Sequence, residues 1–141
     1  KEIAQASITG RLMRLGGLIT VDRENTTDAA STMRALTNAI REENRSTAIF
    51  PEGTRSQTKT PGQFQRGAFL IALRAGVPII PIVIHNSIDV QQRGEMIYRP
   101  ATVRVDVLAP IDTSAWRIKA LDSHIAEVRE TYLRMLGLSA K

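Results

Sequence analysis

Apolar residues recur at helical spacing in four parts of the chain, and short apolar runs lie between them. Ile8, Leu12 and Leu15 predict a first helix, broken by Gly16-Gly17. From Thr27, with Thr27 or Asp28 as cap, Ala29, Met33, Leu36 and Ile40 form one apolar stripe. "GAFLIALRAG" (67–76) reads as a mostly apolar helix closed by Gly76, with Pro78 as a stop. Ile125, Val128, Tyr132, Met135 and Leu136 mark a last helix, capped near Asp122 or Ser123. The β-prone runs are "LITV" (18–21), "TAIF" (47–50), "IIPIVI" (79–84) and "VRVDV" (103–107). The third is apolar throughout, as in an inner strand of a parallel sheet. The fourth alternates and should have one wet face near an edge.

Strands alternating with helices predict an α/β fold, with a largely parallel or mixed sheet flanked by helices. In such sheets ligands gather at the carboxyl ends of the strands. Asp22-Arg23 and Pro51–Ser56 both follow predicted strands, so neighbouring strands would bring the two loops to one crevice.

With 141 residues the chain reads as one domain. Its 43% apolar and 23% charged residues are ordinary for a globular protein. The net charge of +5 favours anionic partners, namely phosphorylated small molecules, anionic headgroups or nucleic acid, unless it serves solubility alone. Aromatic residues are 4% of the chain and do not interleave with a basic stripe, which argues against nucleic acid. There is no cysteine, so disulfides, thiolate metal sites and a cysteine nucleophile are excluded within these residues. No apolar run approaches the ~20 residues of a membrane helix, and no cluster of metal ligands is visible.

The chemistry concentrates in "AIFPEGTRS" (48–56), where a predicted strand runs into a proline, a carboxylate, a glycine and a guanidinium. Arg55 offers a planar fork of donors that fits phosphate oxygens, and Arg23 adds a second positive charge. Gly53 permits a positive φ or a close backbone approach, and Thr54 and Ser56 supply hydroxyls. Glu52 would repel a phosphate. It is expected to hold an arginine or a loop amide, or to accept from a substrate hydroxyl. From the spacing alone, a salt-bridged turn between a strand and a helix is the favoured reading.

"FPEGTRS" resembles the signature block of the glycerolipid acyltransferase family, which makes phosphatidic acid from 1-acyl-glycerol-3-phosphate. "GGLITVDR" is similar to that family's second block and "VPIIPIVI" to its fourth, in the same order and spacing, so the likeness covers nearly all of the chain. "KEI", followed by a glycine at position 10, resembles the segment leading into the second block. "QFQRGAFLIALRAGVPIIPIVIHNSIDV" and "RPATVRVDVLAPIDTSAW" also resemble acyltransferase domains fused behind haloacid-dehalogenase-like phosphatases in some bacterial proteins.

The resemblance implies acyl transfer from acyl-CoA or acyl-carrier protein to a lysophospholipid hydroxyl, without cofactor or metal. Its base is a histidine oriented by an aspartate (His-x4-Asp), acting by general-base catalysis. Neither histidine here fits: Asp89 comes one residue too early after His85, and His124 is expected at the surface of the last helix. His85 either lines the crevice mouth or is a satisfied loop histidine. The resemblance therefore implies that residues 1–141 are the C-terminal portion of a single acyltransferase domain missing its N-terminal part. The catalytic block would lie upstream, and these residues alone would be inactive.

The resemblance also implies that Arg55 binds the acceptor phosphate, with charge added by Arg23 or Lys1, and that Glu52 and Gly53 shape the glycerol pocket. Pro78 and Pro81 read as scaffold, Phe50 and Phe69 as core, and Trp116 as either core or an interfacial anchor. A lipid substrate places the enzyme at the cytoplasmic face of the membrane, attached peripherally or through the missing part. Two alternatives remain: an acyltransferase for another acceptor, such as glycerol-3-phosphate, dihydroxyacetone phosphate or an amino lipid, and a non-catalytic lipid-phosphate- or nucleotide-binding module.

Overall fold

The computed structural model describes residues 26–54, 56, 58–91 and 94–138, with side chains of the first described helix from residue 30 onward. The chain divides into two compact units, Lys1–Thr47 and Ala48–Lys141. In the first, helix α1 spans Thr26–Glu42. Its side toward the interior carries Thr37 and Ala39, with Met33, Leu36 and Ile40 half-buried. Thr37 is accommodated because its hydroxyl donates to the Met33 carbonyl one turn back, at 2.8 Å. The predicted segments at 3–15 and 18–21, with Ala29 of the stripe and the caps Thr27 and Asp28, lie outside the residues or side chains described.

In the second unit the core forms between helix α2 (Arg66–Ala75) and the last helix. Phe69, Ile71 and Ala72 are the buried side of α2. Gly76 ends it in the left-handed conformation (φ 69°), and the Gly76 and Val77 amides both donate to the Ala72 carbonyl, at 2.9 and 3.2 Å. A β-carbon makes that backbone costly, so glycine is the residue that lets the chain turn here. The last helix, Leu121–Met135, follows a 3₁₀ turn at Ile118–Ala120 and buries Leu121, Ile125, Val128 and Leu133. Phe64, Phe69 and Trp116 fill the space between, with Phe64 edge-on to Tyr132 at 5.2 Å.

The cap expected at Asp122 or Ser123 is not formed. The flanking residue is Ala120, Ser123 Oγ donates back to its carbonyl at 2.7 Å, and Asp122 pairs with Arg66 at 3.0 Å. The preceding 3₁₀ turn supplies the chain reversal that a cap would otherwise fix. Trp116 belongs to the core at 9% exposure, not to an interface, and Pro81 is fully buried.

Strand β1 (Ile82–Ile84) and strand β2 (Val105–Val107) form the one ladder among the described residues, joined across the short helix α3 (Ser87–Val90). The ladder is antiparallel, with Ile82 opposite Val107 and Ile84 opposite Val105, so the parallel pairing expected of 79–84 is not found among these residues. The backbone bonds continue outward, from Leu108 N to the Pro81 carbonyl (2.9 Å) and between Ile79 and Ile111. Two steps from Pro81 to Ile79 face three from Leu108 to Ile111, a bulge containing Pro110, which has no amide to pair.

The inner-strand reading of 79–84 does not hold, because only one face of β1 is buried. Val83 is 1% exposed, whereas Ile82, Ile84, Val105 and Val107 on the opposite side are 40–66% exposed. In "VRVDV" it is Asp106 that points inward, because it stands opposite Val83 and beside His85. An alternating run has a period but no sign of which phase faces in, and one step exchanges the faces. "TAIF" forms no ladder among the described residues, and Phe50, expected in the core, is 78% exposed for want of a covering partner.

The Ile82 amide faces away from β2 and donates to the Tyr132 hydroxyl at 3.2 Å, so the last helix satisfies the outer edge of β1. Burial pushes the Tyr132 pKa up, and the amide bond opposes that shift. A raised folded value means the protein holds this proton more tightly than the unfolded chain, so stability falls as pH rises past the unfolded tyrosine value near ~10. Tyr132→Phe is expected to cost about 0.5–1.5 kcal/mol at neutral pH. It should also flatten the alkaline decline, which urea titrations across pH would read.

Candidate functional site

The segment 50–65 is folded by its own polar groups. Pro51 sets the entry to a tight turn in which the Gly53 amide donates to the Phe50 carbonyl at 3.1 Å. Gly53 leaves that turn at φ +71°, as its residue type suggested, and the Gln65 amide returns to the Pro51 carbonyl at 2.7 Å. Glu52 accepts from the Gly62 amide through Oε2 at 2.7 Å. This is the loop-amide role expected of it, and it ties the two ends of the polar loop together. A β-carbon at position 62 would sit 3.3 Å from that same oxygen, so glycine there keeps the approach open. Ser56 Oγ donates to the Thr60 carbonyl and accepts from the Thr58 amide, both at 3.2 Å. Thr54 is exposed.

Of the six residues singled out from sequence, the structure therefore places Glu52 and Gly53 on one turn, with Thr54 and Ser56 following it in the same loop. Arg23 and Arg55 lie outside the described residues.

Arg129, on the last helix, had no signal in the sequence. Its guanidinium donates to the Gly62 carbonyl through Nε and to the Pro61 carbonyl through an Nη, each at 2.8 Å. The loop is thus pinned from one side by Glu52 and from the other by a residue 67 positions away. A contact of that range leaves no local pattern to read. Arg129→Met, which keeps the apolar stem and removes the donors, is expected to cost about 1–2 kcal/mol. It should also speed proteolysis between residues 57 and 66, a change that limited trypsinolysis would show.

A shallow cleft of about 210 Å³ opens beside this turn, lined by Glu52, Ser56, Lys59 and Pro61 on one side. Across from them stand Ile84, His85, Asn86 and Ile88, at the carboxyl end of β1. The cleft is smaller than the ~300–1,000 Å³ of a site for a drug-sized molecule. Lys59 reaches Asp89 at 3.5 Å.

His85 is both a lining residue and a satisfied one. Its side chain is 11% exposed, and Nε2 lies 2.8 Å from Asp106 Oδ2. Arg104 approaches the same oxygen at 3.2 Å. A half-buried carboxylate needs such partners, and these two fasten the loop after β1 to β2. His124 is not a surface residue as expected: it stacks on Trp116 with ring centres 4.6 Å apart, its side chain 24% exposed. No group of three or more metal-ligating side chains occurs among the described residues.

Residues 1–85 match the model of the family described as Acyltransferase. The 1-acyl-sn-glycerol-3-phosphate acyltransferase of Limnanthes douglasii is 31% identical over 141 residues, covering 100% of this chain and 50% of that protein. The protein of that name from Haemophilus influenzae is 40% identical over 110 residues, covering 76% of this chain and 44% of its own length. Among solved structures, the 1-acyl-sn-glycerophosphate (LPA) acyltransferase PlsC from Thermotoga maritima has the same fold, with a TM-score of 0.64 at 24% identity, over 78% of this chain and 46% of that one. The chain spans about half the length of the curated relatives it matches.

Proposed function

Because the chain belongs to the acyltransferase family, we propose that its protein acylates the sn-2 hydroxyl of 1-acyl-glycerol-3-phosphate to give phosphatidic acid. The observation that carries this reading is the Pro51–Ser56 turn. It is held by Glu52 and Gly53 against a cleft at the end of β1. The names of the relatives support the choice of acceptor.

In this reading the acceptor hydroxyl attacks the thioester carbonyl of acyl-CoA or acyl-carrier protein. The carbon–sulfur bond breaks, the thiol leaves, and the hydroxyl proton passes to a base. The family's His-x4-Asp pair, which would be that base, is not among residues 1–141. Arg55 would neutralise the acceptor phosphate as a bidentate donor. Glu52, with one oxygen engaged by the Gly62 amide, keeps the turn in shape and holds a negative charge near the glycerol end. The proposed chemistry calls for no metal or cofactor, and a lipid acceptor would put the reaction at the cytoplasmic face of the membrane.

The test is direct. The intact protein, given 1-acyl-glycerol-3-phosphate and labelled acyl-CoA or acyl-carrier protein, should release labelled phosphatidic acid. Product from glycerol-3-phosphate in preference to the monoacylated acceptor would replace this reading with the other-acceptor one. Phosphate-lipid binding without product would leave only a binding module.

A further inference from the structure

We propose that Lys59 receives a phosphate ester of a substrate at the cleft, and that it does so by exchanging Asp89 for that phosphate. The proposal rests on the acyltransferase reading above, in which acceptor and donor both carry phosphate esters, and adds a specificity-determining residue to that site. Lys59 stands on the polar loop that forms one wall of the cleft. Asp89 stands on α3, whose Ser87 and Ile88 belong to the other wall. Their ion pair, Nζ to Oδ1 at 3.5 Å, therefore joins the two walls at the rim. It is a weak tie, with side chains 72% and 47% exposed, and such a pair gains little over its separately hydrated partners.

The backbone around Lys59 is held while its ammonium is not. The Ser56 and Thr58 hydroxyls both donate to the Thr60 carbonyl, at 3.2 and 3.1 Å, and Arg129 grips the Pro61 and Gly62 carbonyls that follow. Rotations of the lysine stem can carry Nζ from the rim into the cleft with no movement of the loop. A compact charge on a flexible stem suits such an exchange better than the rigid fork of an arginine.

Charge shows what the exchange accomplishes. Among the described residues lining the cleft, Glu52 is the one carboxylate and Lys59 the one lysine or arginine. While Asp89 engages Lys59, the charge of Glu52 leaves the lining unfavourable to an anion. Turned inward, Lys59 offsets Glu52 and offers up to three donors to phosphate oxygens. The Ser56 and Thr58 hydroxyls already donate to Thr60, and His85 faces Asp106, so the ammonium is the donor with a weak tie to give up. Asp89, released, returns to the water that already reaches it. Only an anion can replace Asp89 as partner, so an uncharged molecule gains nothing from the exchange.

Calorimetry on the intact protein at physiological salt tests this with two probes, 1-hexanoyl-glycerol-3-phosphate and CoA. Lys59→Met should weaken binding of one of them about 5- to 20-fold, and Asp89→Asn should tighten the same one about 2- to 5-fold. In the Lys59→Met background the gain from Asp89→Asn should vanish, because Asp89 acts through the lysine. Effects on the lysophospholipid assign Lys59 to the acceptor phosphate, and effects on CoA assign it to the donor. Weaker binding in both variants would make the pair a structural tie. A gain from Asp89→Asn that persists without Lys59 would be a general effect of charge. Either result, or no change, overturns the proposal. Acyl transfer by the unmodified protein separates the two readings. Opposite effects without product reject the catalytic reading alone, and product with binding unmoved rejects the exchange alone.

Discussion

Arg55→Ala in the intact protein is expected to lower kcat/KM for 1-acyl-glycerol-3-phosphate by roughly 30- to 1,000-fold, equivalent to about 2–4 kcal/mol. The size is what the proposed role implies, since a bidentate cation would be removed from a site that takes a phosphate out of water. The sequence places Arg55 three residues after Glu52, between residues whose side chains are committed to the loop itself. Glu52 is engaged with Gly62, and Ser56 with Thr58 and Thr60. Those groups fix the turn. Arg55→Lys should recover only part of the loss, since an ammonium keeps the charge but not the planar pair of donors. Initial rates against acceptor concentration would read both variants.

The second large effect is on stability. Leu121→Ala should destabilise the protein by about 2–5 kcal/mol. Leu121 is 0% exposed and lies in the cluster with Phe64, Phe69, Trp116, Ile125 and Val128. Rings fixed by stacking, Phe69 on Trp116 and Trp116 on His124, are poorly able to collapse into the vacated space. The urea midpoint should fall with the slope of unfolding unchanged. The same removal at Leu138, which is 38% exposed, should change the midpoint little.

How far these features were legible in the sequence depended on their range. The helix at 66–75 was readable to within a residue because an apolar run meets a glycine, the residue that adopts the left-handed stop at least cost. The stripe of the last helix was readable from its spacing, although its start was not, because a 3₁₀ turn took the place of a side-chain cap. Gly53 and Glu52 did what their chemistry suggested, one turning with positive φ and the other holding a loop amide.

The phase of β2 was hidden, because "VRVDV" alternates equally well with either face inward. What decided it were His85 and Arg104, which make the inward Asp106 tolerable. Arg129 was invisible for the same kind of reason: its partners Pro61 and Gly62 become neighbours only once the last helix packs. Phe50 misled because an apolar residue at a presumed strand end implies burial only if another element covers it.

The most direct test of a phosphate-gripping turn is to give the intact protein and its Arg55→Ala variant two acceptors that differ only in the headgroup, 1-acyl-glycerol-3-phosphate and 1-acylglycerol. The ratio of kcat/KM between them should collapse toward one in the variant, with the slow rate on the uncharged acceptor preserved. A ratio that stays at its unmodified value while both rates fall together would show that Arg55 supports the fold or the chemistry and does not hold the phosphate.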